Sequence, residues 1–230
     1  LPMSLKQAVW IDFDNDGDKD LFVASEEYKN RLYRNDNFIF TDITVAAGIP
    51  DVLLHTNSGS WGDYDNDGDL DLFLSNRDLN QLIPNMLFRN NGDGTFENVN
   101  ELSAIGNVSK ITFQATFFDY NNDGWLDIYL INDRKVTTNI LYHNNGDGTF
   151  TDISEEAEVG YVMDAMSVGL DDYDADVNHM DTDVTMHGML AQEVKAALDT
   201  AGVTTFAGWQ ERSDGSQCLS QEMFVQPLIK

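Results

Sequence analysis

Cysteine is nearly absent from the 230 residues: Cys218 stands alone, so neither an intrachain disulfide nor a thiolate metal site can form. The redox compartment stays open on that count. No stretch of 18 apolar residues exists, which removes a helical membrane span. Basic residues are scarce as well, with 13 Lys and Arg against 40 Asp and Glu, for a formal charge of −27. A surface of that sign repels nucleic acid and anionic membranes, which excludes both as primary partners. The histidines His55, His143, His179 and His187 are dispersed, with no Ser, Cys or carboxylate at a spacing that suggests a relay. They read as surface or half-buried residues, and no enzyme is expected. The chain opens at Leu1 with neither an initiator Met nor a leader pattern, as expected of a mature product or an excerpt of something longer.

What is present argues for a folded chain, since 42% hydrophobic residues with 11% aromatics are ample for a core. The acids are not scattered. Seventeen of the 40 fall in four short segments, Asp12 to Asp20, Asp63 to Asp71, Asp119 to Asp127 and Asp171 to Asp176. Clustered carboxylates call for a cation.

The clusters belong to a repeat. VWIDFDNDGDKDLFVAS (Val9 to Ser25), SWGDYDNDGDLDLFLSN (Ser60 to Asn76) and TFFDYNNDGWLDIYLIN (Thr116 to Asn132) superpose without gaps. A fourth copy starts at Asp172, giving spacings of 51, 56 and 53 residues between first aspartates. Each acidic loop is followed by an apolar strand and then by NRLYRN (Asn30 to Asn35), NMLFRN (Asn85 to Asn90) or NILYHN (Asn139 to Asn144). The hairpin turn NGDGTF follows at Asn91 to Phe96 and Asn145 to Phe150, and DNFIF replaces it in the first copy. A further short strand is expected at Phe40 to Ile43 and at Phe150 to Ile153. The fold class is therefore mainly β, a partial β-propeller of about three and a half four-stranded blades, with a small α+β segment at the C-terminus. A β-solenoid or an open sandwich stays open as an alternative.

Within each loop the pattern D-x-[DN]-x-D-G-x-x-D sets oxygens at positions 1, 3, 5 and 9. These are Asp12, Asp14, Asp16 and Asp20; Asp63, Asp65, Asp67 and Asp71; and Asp119, Asn121, Asp123 and Asp127. Glycine at position 6 permits the reversal, and the carbonyl of position 7 (Asp18, Asp69, Trp125) can add another oxygen. Two carboxylates about 4 Å apart repel by roughly 4 kcal/mol at an effective dielectric near 20, so four cannot share a hairpin tip unneutralised. Calcium fits, because it takes about 6 to 8 hard oxygens in loose geometry, and about three ions are expected. Zinc does not, because no His or Cys lies in a loop. An EF-hand would need Glu at position 12, where Val23, Leu74 and Leu130 stand, and flanking helices where these loops have strand formers. In the fourth copy Val177 replaces the glycine and Met180 the closing aspartate, so no competent site is expected there. Occupancy of the third should differ too, since Asn121 leaves three carboxylates. The aromatics Trp10, Trp61, Phe117 and Trp125 read as packing between blades, ahead of a carbohydrate-stacking platform.

DFDNDGDKDLFVA with NRLYRN, and DYDNDGDLDLFLSN with LFRNNGDGTF, resemble the FG-GAP and VCBS repeats of integrin-α-like propellers and ASPIC/UnbV-associated proteins over about Val9 to Asp176. The resemblance implies blades with calcium in the inter-strand loop and an extracellular or cell-surface role in adhesion, recognition or scaffolding of a protein or carbohydrate ligand. Integrin-type propellers close with seven blades. Three and a half cannot, so the chain is expected to be open, homo-oligomeric or cut from something larger.

From about Asn178 the character changes, dividing the chain into 1–177 and 178–230. In MHGMLAQEVKAALDTAG, Leu190, Val194, Ala197 and Leu198 form a helical stripe ended by Gly202. FAGWQERSDGSQCLS reads as two short strands about Asp214 and Gly215, and Ser220 as the cap of a last helix. This segment resembles the later half of the intramolecular chaperone domain of phage tail spikes and endosialidases, over about Asp183 to Lys230. That resemblance implies trimer assembly, and with it the alternative of a tail-fibre component on a virion. The family's self-cleaving half is missing, so Lys195 and Ser220 are not a catalytic pair.

Overall fold

The computed structural model describes residues 5–80, 82–105, 110–133, 137–160, 209–211 and 217–219. The chain divides into two units, Leu1–Val168 and Gly169–Lys230. The first is built from three antiparallel sheets of four strands, each in simple sequential order. Blade 1 holds β1 (Leu5–Ile11), β2 (Asp20–Ser25), β3 (Arg31–Asp36) and β4 (Ile39–Asp42). Blade 2 holds β5 (Thr56–Gly62), β6 (Asp71–Asn76), β7 (Met86–Asn90) and β8 (Phe96–Asn98). Blade 3 holds β9 (Thr112–Phe118), β10 (Asp127–Asn132), β11 (Ile140–Asn144) and β12 (Phe150–Asp152). This is a partial β-propeller, and the repeat period is the blade.

The second strand of each blade explains the core. DLFLSN in β6 is buried along its whole length, because a strand between two neighbouring blades has no solvent face, and DIYLIN in β10 is buried along its whole length as well. Side chains alternate across a strand, so β6 feeds two cores at once. Leu72 and Leu74 join Phe13, Phe22, Ala24 and Leu32 at the seam with blade 1. Phe73 joins Ile128, Leu130 and Phe150 at the seam with blade 3. Aromatic contacts close both seams: Trp61 meets Phe22 at 5.8 Å and Phe96 at 5.9 Å, Phe13 meets Phe96 at 5.8 Å, and Tyr64 meets Phe150 at 5.5 Å. Trp61 and Phe117 thus pack between blades as expected. Trp10, at the matching position of blade 1, does not: it is largely exposed, because no blade precedes it among the described residues.

The seams are also hydrogen-bonded, and the partners repeat. The first Asn of each N-x-x-x-x-N motif accepts the N–H of the last residue of the second strand, as Asn30 does from Ser25 and Asn85 from Asn76. Its amide donates to a threonine of the next blade, Asn30 to Thr56 and Asn85 to Thr112, each at 2.7 Å. The second Asn reaches the preceding blade instead: Asn90 donates to Phe13 O and Asn144 to Tyr64 O, both at 2.8 Å. Phe96 N and Phe150 N donate to Ala47 O and Ser103 O across the same seams. At the strand ends away from the acidic loops, Lys6, Glu26, Arg77 and Asp133 form a chain of ion pairs through all three blades.

In the second unit the described residues form one antiparallel hairpin, β13 (Trp209–Glu211) with β14 (Gln217–Leu219), on either side of Asp214 and Gly215. The helix read over residues 186–202, the helix after Ser220 and the fourth loop at Asp172, Asp174 and Asp176 lie outside the described residues. Among the described residues no helix is long and apolar enough to cross a membrane.

Candidate metal centre

Each acidic loop links the first and second strands of its blade, and the three loops lie at the same end of their sheets. The chain reverses through two residues in the left-handed region, at positions 4 and 6 of the loop. Asn15, Asn66 and Asn122 have φ of 57°, 59° and 58°, and Gly17, Gly68 and Gly124 have φ of 92°, 95° and 89°. Asparagine tolerates that conformation better than other side chains, and glycine adopts it freely.

Backbone N–H groups aim the carboxylates. Position 1 accepts the N–H of the glycine, as in Gly68 to Asp63 at 3.0 Å and Gly124 to Asp119 at 2.8 Å. Position 5 accepts the N–H of position 7: Asp18 to Asp16 at 2.8 Å, Asp69 to Asp67 at 2.9 Å and Trp125 to Asp123 at 2.9 Å. The carboxylates converge as a result. Oxygens of Asp12, Asp14 and Asp16 lie within 4.8 Å of one another, as do those of Asp63, Asp65 and Asp71. Three oxygens at these centres, Asp12 Oδ1, Asp14 Oδ1 and Asp65 Oδ1, are buried without any hydrogen-bond partner. A buried acceptor without a donor is costly, and a hard cation satisfies several at once. Burial, reinforced by neighbouring aspartates, holds Asp14 and Asp65 above the usual carboxylate range.

The loops match a known repeat. A model of the FG-GAP-like repeat fits residues 12–74, 63–130 and 119–178, each match opening on the first aspartate of a loop. The chain belongs to the FG-GAP-like repeat family. A search of curated proteins gave no match.

Within these FG-GAP-like repeats the ninth-position aspartates do more than their spacing suggested. Asp20, Asp71 and Asp127 are fully buried, and each bridges two backbone N–H groups. Asp71 accepts from Tyr64 at 3.0 Å and from Asn90 at 2.8 Å, pinning the loop to the third strand of its own blade. Asp20 does the same with Phe13 and Asn35, and Asp127 with Tyr120 and Asn144. Burial pushes Asp71 up to about 8, and raises Asp20 and Asp127 as well. Asp127 has a further partner in His143, whose Nδ1 lies 3.1 Å away, so one histidine does sit beside a loop carboxylate.

The seventh-position side chains turn away from the loop centres. Asp18 accepts the N–H of Asn37, Asp69 accepts the amide of Asn15, and the Trp125 ring lies against Gly146. Only their backbone carbonyls are left for an ion. Loop three differs in kind: the amide of Asn121 donates to Asp123 at 2.9 Å. The N–H of Trp125 and that bond hold Asp123 below the usual carboxylate range.

Asparagines at position 4 also join the loops to one another. Asn15 donates to Asp69 at 2.8 Å and to Gly68 O at 3.3 Å, and Asn66 donates to Gly124 O at 3.0 Å. Beside the second loop, Tyr64, Asp65, Arg89, Trp125, Asp147 and Thr149 line an open cavity of about 450 Å³.

Proposed function

We propose that this FG-GAP-like unit is a calcium-stapled recognition and scaffold module displayed outside the cell, and that it binds a protein or carbohydrate ligand without chemical turnover. The observation that carries the reading is the set of orphaned, buried carboxylate oxygens at the convergent trios of loops one and two. Side chains of Asp12, Asp14, Asp16 and Asp20 would hold the first ion, and those of Asp63, Asp65, Asp67 and Asp71 the second. Asp119, Asn121, Asp123 and Asp127 would hold a weaker third, and the carbonyls of Asp18, Asp69 and Trp125 complete the sets. A bound calcium ion supplies two positive charges where like charges otherwise repel. The residues supply the frame: positions 1 and 5 are aimed by backbone N–H groups, and position 9 ties the loop to its sheet.

The charge of −27 keeps nucleic acid and anionic membranes away, and open concave surface such as the cavity beside Trp125 suits a ligand edge. Every clustered carboxylate among the described residues is accounted for by the repeat, which leaves none for acid-base chemistry. The test is calorimetric titration of the chelator-stripped chain with calcium, followed by thermal unfolding in calcium, magnesium and chelator. Binding to the folded state must raise the unfolding midpoint. Absence of both heat and midpoint shift in calcium sinks the proposal.

A further inference from the structure

We propose, on the calcium reading of these loops, that the position-4 asparagines Asn15 and Asn66 are positioning residues that make ion binding cooperative from one blade to the next. Neither side chain is among the proposed ligands. Each sits between two residues that are, Asn15 between Asp14 and Asp16 and Asn66 between Asp65 and Asp67. Each also reaches out of its own loop. Asn15 donates to Asp69 Oδ1 at 2.8 Å and to Gly68 O at 3.3 Å in the second loop, and Asn66 donates to Gly124 O at 3.0 Å in the third. Positions 6 and 7, which receive these bonds, are where the next loop reverses and where its carbonyl ligand stands.

Such a bond requires both loops to be closed. Without an ion, the converged aspartates of a loop repel one another and drive it open, which draws position 4 away from its neighbour. An ion holds positions 3 and 5 in place, and with them the asparagine between. Closing loop 1 thus presents the Asn15 amide to loop 2, and closing loop 2 presents Asp69 and Gly68 to Asn15. By linkage each ion strengthens the other by the same factor. The net worth of a hydrogen bond sets that factor at about two- to tenfold. Two dications alone would couple with the opposite sign, because like charges repel, so steeper filling is a signature of the bonds.

The two links are unequal. Asp69 is wedged between the Asn15 amide and Gly92, where an added Cβ would stand 2.5 Å from Asp69 Oδ2. Asn15 therefore reaches a carboxylate and a carbonyl, whereas Asn66 reaches one carbonyl, because Trp125 replaces the aspartate at position 7 of the third loop. A charged acceptor makes the stronger bond. Loops 1 and 2 fill together, and loop 3 is tied to them more loosely.

Nuclear magnetic resonance on the full, chelator-stripped chain titrated with calcium chloride tests the coupling. The amides of Gly17, Gly68 and Gly124, which bond the first aspartate of each loop, read the three loops separately. In wild type, loops 1 and 2 should fill in one step steeper than independent binding. Asn15→Gly and Asn66→Gly remove the amides alone, since glycine adopts φ of 57° and 59° freely. Asn15→Gly should weaken loop 2, whose own residues are untouched, by about two- to tenfold and abolish the steepness. Asn66→Gly should weaken loop 3 by a smaller factor and leave the joint filling of loops 1 and 2 intact. Asn15→Asp, which sets a carboxylate against Asp69, should make those two loops oppose each other. A cooperative thermal transition in chelator checks that each variant is folded, and the wild-type curves decide the matter without any variant. Calcium uptake that is independent at every wild-type loop, or an Asn15→Gly chain whose loop 2 keeps its affinity, overturns the coupling and leaves the calcium reading standing. Loops that take up no calcium at all overturn that reading, and the coupling with it.

Discussion

Replacing Asp71 by Asn keeps the shape of a fully buried side chain and removes one of its two acceptors. In the native loop Oδ1 takes the N–H of Asn90 at 2.8 Å and Oδ2 that of Tyr64 at 3.0 Å. An amide offers a single oxygen, so one backbone N–H is left facing a donor, which costs about 1–3 kcal/mol. In a domain of this size each kcal/mol lowers the midpoint by roughly 2–4 °C. Burial pushes the Asp71 carboxyl up to about 8, so in chelator at neutral pH it is already mostly protonated, and the loss there reports hydrogen bonding alone. In calcium the variant lacks a charged ligand as well. Each occupied site adds about 2.7 kcal/mol when free calcium stands a hundredfold above its dissociation constant, so Asp71→Asn should forfeit one site's share. Scanning calorimetry in chelator and at stepped calcium measures both losses. If Asp71→Asn melts with wild type in chelator, the bracing role is wrong. If it gains as much from calcium as wild type, the ligand role is wrong.

Other outcomes follow from the same geometry. Without calcium, stability should fall as pH rises from near 4 to about 8, by up to roughly 1.4 kcal/mol per pH unit, because folded Asp71 keeps a proton that the unfolded chain has released near pH 3.9. Urea midpoints across that window would show the slope, which calcium and Asp71→Asn should each flatten. Gly59→Ala places a methyl 2.5 Å from the Phe22 ring and should cost about 1–3 kcal/mol equally with and without calcium. Gly68→Ala meets nothing within 4 Å but forces a Cβ to φ of 95°, so it should cost roughly 1–2 kcal/mol and weaken calcium binding measurably by titration. Asn90→Ala strips the Phe13 and Leu70 carbonyls of a donor, and should destabilise by about 1–3 kcal/mol with faster amide exchange along the blade 1–blade 2 seam.

The blade plan was legible because a period of about 50 residues displays every turn and strand three times over. Asp-Gly turns, the apolar run after each loop and the short strand at Phe150 all lie close to where the residues suggested. The carboxylate convergence at Asp12, Asp14 and Asp16, and at Asp63, Asp65 and Asp71, follows from spacing around a reversal. What escaped is whatever depends on a partner one blade away. Asn30, Asn85, Asn90 and Asn144 sit at ends of apolar strands, where a polar side chain needs a buried partner, but that partner stands as many as 80 residues off. The position-4 asparagines gave a usable signal, since Asn-Asp-Gly recurs at the reversal, yet nothing local says that Asn15 reaches Asp69. Trp10 escaped for the opposite reason: the pattern made it equal to Trp61, but among the described residues no blade packs against it and it is exposed.

Arg77 gives the molecule a lopsided temperament. Its guanidinium, held between Glu26 and Asp133 at 3.1 and 2.5 Å, is a covalently attached counterion that no chelator can extract. The far margin of the sheets therefore keeps its clasp whatever the supply of divalent ions. One side chain of blade 2 thereby moors blades 1 and 3 together at the end opposite their acidic loops.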